Sequence, residues 1–236
     1  MASKTRLLAL IKTYGVEGII AGLQESPELL EFRDERGRNW LHLCASVDVM
    51  KKPDLNVNDS VRLAEKLLGL GLDINAPAFT EGAWQATPLW YAVGRGHNLP
   101  LASFLLEHGS MPEHCLWVAS FNEDFEMLRL LIKHGAPLET VVEGETPLLG
   151  AVKYSKFQAA KVLLDAGANP DFQDTSGMTA LHCMLKKSSD KQHYQMFLKH
   201  KARGDIPNAE GKTAIDLMRR KRDSEYHEIA AQLVTK

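Results

Sequence analysis

The amino-acid sequence predicts an all-α protein built from repeated helix-turn-helix units. Three observations lead to this fold class: an opening motif that recurs along the chain, a second apolar motif that follows each copy, and helical spacing of the apolar residues. The composition agrees, because 44% of the 236 residues are hydrophobic and 25% are charged. Neither a disordered nor a fibrous protein fits this composition.

The opening motif occurs six times, with its first residue at positions 39, 87, 114, 146, 179 and 213. Its clearest copies read Thr-Pro-Leu, at residues 87–89 and 146–148, whereas the copy at His114 is degenerate. Thr followed by Pro is typical of a helix start, because the hydroxyl caps the first turn and proline needs no N–H donor there. The last three spacings are 32, 33 and 34 residues, which indicates a repeat.

A second motif marks the end of the second helix in each repeat. It reads Leu-Leu-x-x-Gly, as at residues 163–167, and the final glycine can adopt the left-handed conformation that ends a helix. The copy at residues 197–201 lacks this glycine. Each repeat is therefore expected to hold two short helices, followed by a turn such as residues 171–177.

A period of 33 residues with a Thr-Pro-Leu-His-x-Ala start resembles the ankyrin repeat. The resemblance covers about residues 15–236, and its best copies are residues 141–172 and 174–203. It implies a solenoid of about six repeats, in which each unit buries its apolar face against its neighbours.

The elements follow in order along one expected domain, residues 1–236. Residues 1–33 form an N-terminal helical cap, with helices around 4–14 and 16–24. Residues 34–203 form the central repeats, and residues 204–236 form a capping repeat whose last helix spans about 224–234. These end segments are assigned as caps because they lack the opening motif or end the array, and terminal repeats need a polar outer face.

The repeat length is irregular in the N-terminal half. About eleven extra residues lie near 48–59, between the two helices of the first repeat, and four more enlarge the turn at 77–86. The turn between Gly109 and His114 is seven residues short. Insertions in solenoids often map to the binding face, but surface loops also lengthen at little energetic cost, and both interpretations stay open.

Motifs for catalysis and cofactor binding are missing from the sequence. The Gly-x-Gly fragments at residues 69–71 and 94–96 lack a preceding strand and a third glycine, and neither a P-loop nor a Gly-x-Ser-x-Gly elbow is present. We therefore expect no enzyme, no catalytic residues and no cofactor.

Histidine and cysteine placement predicts structural roles and no metal site. His42 and His182 occupy the fourth position of the opening motif, where the resemblance implies bonding to the backbone of a neighbouring loop. The adjacent pairs His114-Cys115 and His182-Cys183 diverge by about 100° on a helix, so they do not converge on a metal ion.

Charge, hydropathy and cysteine usage bear on partners and location. The formal net charge is -2, so no chain-wide cationic field attracts nucleic acid or anionic lipid. No stretch approaches the roughly 18 apolar residues of a membrane span, no signal peptide is recognised, and three cysteines are too sparse for a disulfide scaffold. We expect a cytoplasmic monomer, with secretion by a signal-independent route left open.

The basic run at residues 219–222 is interpreted as a solvated helix end. A nuclear signal or a phosphate contact is the alternative, although acidic residues follow at once.

Candidate binding residues lie at the turn tips and first-helix ends, which line the binding surface of such repeats. Large apolar residues occupy these positions in the middle repeats, and Trp90 and Trp117 replace the usual histidine of the motif. Aromatic residues and Met are enriched at interface cores, so a site centred on repeats two to four is predicted. Alternatively, Trp84 and Phe121 fold back onto the irregular turns. The predicted site residues are Trp84, Trp90, Arg95, Met111, Phe121, Glu143, Glu145, Tyr154 and Met178.

The predicted function is that of a non-enzymatic protein-interaction module, an adaptor or inhibitor that holds a folded protein partner in a concave groove. A secreted bacterial effector that engages a host protein is the alternative, and an enzyme with a cryptic site is a remote one. Degenerate repeats in a compact array are compatible with bacterial origin, and the fold alone does not choose the partner.

Overall fold

A computed structural model describes residues 3–79 and 85–234 of the chain. The chain divides into two compact units, Met1–Cys115 (unit 1) and Leu116–Lys236 (unit 2). Each unit consists mainly of short helices packed in pairs. The single domain expected from the sequence stays a prediction.

The described part of unit 1 is helical apart from one short ladder in the enlarged turn. Strands β1 (Ala78–Phe79) and β2 (Gln85–Ala86) pair antiparallel, which the sequence did not predict. A 3-10 turn at Pro27–Glu31 and a π-helical turn at Ala92–Gly96 complete its described structure. The helices are α1 (Lys4–Ile11), α2 (Val16–Glu25), α3 (Trp40–Ala45), α4 (Val57–Gly69), α5 (Pro88–Tyr91) and α6 (Leu99–Glu107).

Unit 2 has a more regular alternation of first and second helices. In it, α9 packs against α10 and α11, α10 packs against α8 and α12, and α13 packs against α11 and α14. A 3-10 turn at Lys191–His193 leads into α12. The helices are α7 (Cys115–Asn122), α8 (Phe125–Lys133), α9 (Pro147–Lys153), α10 (Phe157–Asp165), α11 (Ala180–Lys187), α12 (Tyr194–Lys199), α13 (Ala214–Arg219) and α14 (Ser224–Val234).

Helix starts follow the predicted capping chemistry. Thr146 Oγ1 accepts a hydrogen bond from the Leu149 amide at 3.2 Å, with Pro147 in the first helical position. Thr213 and Asp216 cap each other's amides, at 3.0 and 3.1 Å. These bonds satisfy amides that have no partner within the helix.

Helix ends are also as predicted, with one addition. Gly71, Gly109, Gly135 and Gly167 all have left-handed φ values between 76° and 97°. Lys201 occupies the position without glycine and still takes φ 59°. The repeat geometry therefore imposes a backbone conformation that costs a non-glycine residue about 1–2 kcal/mol.

The core lies between the helix pairs of each unit. Leu148 of α9 and Leu163 of α10 are buried, as are Ala159 and Ala160. Of the apolar positions that helical spacing predicts in α10, Ala159, Ala160, Leu163 and Leu164 are therefore confirmed as core, whereas Val162 is half-buried.

The insertion near residues 48–59 connects α3 to α4, and its last three residues form the first turn of α4. Hydrogen bonds to other segments hold the insertion in place: the Val49 amide donates to the Gly96 carbonyl at 3.0 Å, and Lys52 Nζ donates to the Lys12 carbonyl at 2.6 Å. Gly96 lies so close to α3 that a Cβ there would be 2.2 Å from the carbonyl oxygen of Ala45.

The repeat histidines have structural contacts. His182 Nδ1 accepts from the Thr179 amide at 3.3 Å, and Nε2 lies 3.0 Å from the Lys212 carbonyl oxygen in the next turn. The backbone contact implied by the resemblance is thus confirmed for His182. Burial of His42 lowers its pKa to about 4, so its ring is neutral at neutral pH.

Candidate protein-binding surface

The predicted site residues of unit 1 are spread over separate elements. Trp90 is half-buried in α5, and Arg95 is exposed in the π-helical turn. Met111 is 47% exposed, and its amide donates to Asn75 Oδ1 at 2.9 Å. Trp84 lies outside the described residues. Unit 1 therefore contributes single exposed side chains and no cluster of the predicted residues within its described part.

Unit 2 brings three aromatic rings together on the first helices of two successive repeats. Phe121 and Trp117 stack on α7 with ring centroids 5.6 Å apart and planes 6° apart. Tyr154, which follows α9, meets Phe121 edge-on at 5.2 Å and Trp117 at 6.0 Å. Phe121 and Tyr154 are 42% and 49% exposed. We call Trp117, Phe121 and Tyr154 the aromatic cluster.

A small residue and a cation border the aromatic cluster. A Cβ at Gly150 would lie 2.7 Å from Trp117 Nε1, so the glycine leaves the space that this ring occupies. Lys156 Nζ lies 5.9 Å from the Phe121 ring centroid and 3.1 Å from Glu123 Oε2. Trp117 was not among the predicted site residues, although its replacement of the motif histidine signalled that the position is unusual.

Next to the cluster, an ion triad joins α9 to the following turn. Lys153 Nζ lies 3.0 Å from Glu145 Oε1 and 2.8 Å from Asp174 Oδ2. Burial opposes the charge on Lys153, but the hydrogen bonds that Lys153 donates to both carboxylates outweigh it and raise the Lys153 pKa above its usual value. Burial likewise opposes ionisation of Asp174, and Lys153 together with backbone amides holds its pKa below the usual value. Glu145 is thus engaged within the chain, and its contact with a partner stays a prediction.

The two remaining predicted residues lie in turns of unit 2. Glu143 is exposed at the tip of a tight turn with φ 52°, closed by the Val142 amide, which donates to the Glu145 carbonyl at 2.9 Å. Met178 is half-buried, and its amide donates to Asp174 Oδ1 at 2.9 Å. Both positions are accessible, as tip residues of a repeat are expected to be.

Met178 also lines a cleft of about 580 Å³ between α11 and α13. Its apolar lining comes from Met178, Leu185 and Leu217, and basic side chains surround these residues. Sequence reasoning found Met178 but missed the cleft, because two helices and two turns from successive repeats form it together. The feature of the sequence that could have revealed the cleft is the basic residues at the ends of α11 and α13.

The three cysteines, Cys44, Cys115 and Cys183, are free and buried. Burial raises the pKa of the Cys183 thiol to about 11, which makes it a weak nucleophile. Within residues 3–79 and 85–234, no three His, Cys, Asp or Glu side chains converge as metal ligands. No helix in the same ranges is long and apolar enough to cross a membrane.

The helix pairs, glycine ends and turn tips of both units define a class, the helical repeat proteins. Residues 112–174 match the family model for ankyrin repeats. An ankyrin repeat protein of fowlpox virus (strain NVSL) is 31% identical over 163 residues, which cover 66% of this chain and 26% of the relative. The chain thus contains ankyrin repeats, which generally serve as protein–protein interaction modules.

Solved structures confirm the predicted fold class. The ankyrin repeat domain of Bcl-3, a member of the IkappaB protein family, has a TM-score of 0.74 at 20% identity, covering 98% of this chain and 100% of that chain. The human ASB11 ankyrin repeat domain has a TM-score of 0.69, also at 20% identity, with 96% of both chains covered.

A second relative is an enzyme of which only a small part is shared. The phosphocholine transferase AnkX of Legionella pneumophila is 27% identical over 140 residues, which cover 54% of this chain and 14% of AnkX. The chain therefore spans a minor part of both relatives. Because these relatives are viral and bacterial, the bacterial origin inferred from the sequence stays a prediction.

Proposed function

We propose that this protein binds a folded protein partner through the aromatic cluster of unit 2, and that it acts by occupancy, as an adaptor or inhibitor. The observation that carries the proposal is the convergence of Trp117, Phe121 and Tyr154, with nearly half of two large rings left in solvent. The same proposal includes that the protein is non-enzymatic, monomeric and cytoplasmic.

The energetics favour a binding role over simple packing. Aromatic side chains bury about 150–250 Å² each, so two half-exposed rings side by side leave an apolar patch that a partner can cover. Such rings are enriched among the residues that dominate binding energy. Mutual stacking also holds each ring in place, which lowers the entropy lost when a partner binds.

The test starts from capture of partners on the immobilised full chain, in a lysate of the organism that encodes it. The dominant stoichiometric partner is purified, and its affinity is measured by isothermal titration calorimetry. Phe121→Ala and Tyr154→Ala should each weaken binding by about 2 kcal/mol, or roughly 30-fold. The control is Met50→Ala, which truncates a side chain that is 75% exposed in unit 1.

Folding must be measured alongside affinity, because Phe121 loses ring contacts when truncated. We expect Phe121→Ala to lower the free energy of unfolding by about 1 kcal/mol, too little to unfold the protein. Loss of stability with unchanged affinity per folded molecule would show that the cluster belongs to the core. A loss of affinity in Met50→Ala alone would move the site to the insertion in unit 1.

A further inference from the structure

The cleft between α11 and α13 combines an apolar floor with a basic rim. Among its lining residues, Leu185 is buried and Met178 and Leu217 are half-buried, so they form the floor, whereas Lys186 and Arg220 are exposed at the rim. The cleft volume of about 580 Å³ lies within the range of roughly 300–1,000 Å³ that is typical of ligand sites.

The charges around this cleft do not cancel. Its lining includes Lys186, Lys212, Arg220 and Lys221, against the single carboxylate of Glu210 among the described lining residues. The chain as a whole has a net charge of -2, so positive charge is concentrated here. Clefts lined by one sign of charge attract ligands of the opposite sign.

Three of these four cations form no ion pair within 4.0 Å in the described part of the chain, although hydrogen bonds from Thr213, and in addition the charge on Arg220, hold the pKa of Asp216 below its usual value. Lys212 Nζ pairs with Glu210 Oε2 at 2.6 Å. No carboxylate oxygen of the described residues lies within 4.0 Å of the side-chain nitrogens of Lys186, Arg220 or Lys221. Lys186 and Arg220 are exposed, and Lys221 Nζ lies 5.9 Å from the Tyr226 ring centroid.

Helix stabilisation explains only part of this arrangement. Basic residues at the ends of α11 and α13 interact favourably with the helix dipoles. Lys187, at the end of α11, reaches the C-terminal end of α9 instead, since its Nζ donates to the Lys153 carbonyl and to Ser155 Oγ at 2.9 Å. Lys212 belongs to a turn, however, and the dipole gives no reason for an apolar floor between the cations.

We propose that this cleft binds an acidic segment of a protein partner, with one apolar side chain of that segment on Met178, Leu185 and Leu217 and its carboxylates facing Lys186 and Arg220. The inference rests on the proposed function, because it assigns a chemistry to part of the bound partner. An inorganic anion would leave the apolar floor unused.

The cleft is less suited to nucleic acid. Binding of single strands relies on aromatic faces on which bases stack. His182 is the aromatic residue among the described lining, and it is buried with Nε2 3.0 Å from the Lys212 carbonyl oxygen. A peptide that carries both carboxylates and an apolar side chain satisfies both halves of the cleft.

The experiment selects ligands without bias. A phage library of short random peptides is panned on the immobilised full chain, and enriched peptides are synthesised with fluorescein and measured by fluorescence anisotropy. We expect a consensus with several Asp or Glu residues around one large apolar residue, and affinity that falls as salt rises. Replacing the apolar residue of the peptide by Ala should weaken binding at least about tenfold.

A pair of protein variants of equal net charge locates the binding. The cleft variant is Lys186→Glu with Arg220→Glu, and the control is Lys199→Glu with Arg219→Glu, two exposed residues outside the cleft lining. The cleft variant should lose at least about tenfold in affinity, and the control less than about threefold. Should the charge reversal unfold the chain, the neutral pair Lys186→Gln with Arg220→Gln takes its place.

Several outcomes overturn the inference. These are the absence of any enriched peptide, a neutral or basic consensus, and equal affinity in the cleft and control variants. A labelled oligo(dT) strand that binds the wild type, and that loses affinity in the cleft variant but not in the control variant, would assign the cleft to nucleic acid instead. The proposed function is judged separately: a partner that loses affinity in Phe121→Ala but not in the cleft variant supports the aromatic cluster and refutes the acidic segment.

Discussion

Lys153→Met removes the cation from the ion triad and should destabilise unit 2. Lys153 holds Glu145 and Asp174 at 3.0 and 2.8 Å, and the side chains of these three residues are 28%, 17% and 9% exposed. Methionine keeps the length of the aliphatic stem but leaves two neighbouring carboxylates without their counter-charge. The expected effect is therefore electrostatic rather than a loss of packing.

The magnitude follows from the intermediate burial of the triad. Breaking a fully buried ion pair costs about 3–5 kcal/mol, and an exposed pair contributes about 0–1 kcal/mol. For this partly exposed triad, which lies between these two limits, we expect a loss of about 2 kcal/mol at neutral pH. For a chain of this size, that loss lowers the Tm by about 4–8 °C.

The pH dependence identifies the cause. The pKa of Asp174 is lower in the folded protein than in the unfolded chain, so its contribution is present above about pH 4 and is lost as pH falls through the folded pKa. The pKa of Lys153 is raised, so its contribution is present below about pH 10 and is lost as pH rises through the folded pKa. The stability difference between wild type and Lys153→Met should be largest between these limits.

The assay is urea unfolding followed by far-UV circular dichroism, in a double-mutant cycle with Asp174→Asn. Asparagine keeps the Oδ1 acceptor to which the Ser176 and Met178 amides donate at 2.9 Å. In the next repeat an asparagine already has this role, since the Glu210 amide donates to Asn208 Oδ1 at 3.0 Å. The cycle should show a coupling of about 1 kcal/mol or more. A loss below about 0.5 kcal/mol at neutral pH, or a loss that does not change down to pH 3, would refute the reasoning.

Three further predictions concern packing and burial. Gly96→Ala should lower the free energy of unfolding, measured by thermal unfolding, by about 1–3 kcal/mol, because its Cβ would lie 2.2 Å from the Ala45 carbonyl oxygen. The control Gly69→Ala meets no neighbour within 4 Å and should be neutral or slightly stabilising. Leu148→Ala and Leu163→Ala should each cost about 2–5 kcal/mol in urea unfolding, and losses below about 0.5 kcal/mol for both would contradict their core positions. The three buried cysteines should resist a thiol reagent in the native protein and react after unfolding, whereas rapid native labelling would show that the thiols are accessible.

The local structure of the repeats could be read from the sequence because it depends on neighbouring residues. The helix start at Thr146-Pro147 and the left-handed end at Gly167 require only side chains and backbone within one turn. Lys201 shows the limit of this approach, since it takes the same left-handed φ without a glycine, at a helix end where the Ala202 amide donates to the Phe197 carbonyl at 3.0 Å. The short ladder of β1 and β2 was missed because residues on opposite sides of the enlarged turn pair with each other.

The candidate sites could be read only in part. Anchor-relative positions placed Phe121 and Tyr154 on the surface, and both are exposed, while their role in binding stays a prediction. The same positions included Glu145, which is instead held by Lys153. A position within the repeat predicts which direction a side chain takes, but not which residue of the next repeat it meets.

By itself, the sequence determined the fold class, the repeat period, the helix ends and the core positions, because short-range periodicity encodes each of these. The tertiary structure alone decided that Trp117 joins Phe121 and Tyr154 beside Gly150, and that basic residues from two repeats surround one apolar cleft. The physical reason is distance. Residues about 33 positions apart come within a few ångströms of each other only when repeats stack, and ring contacts, ion pairs and clefts form at that scale.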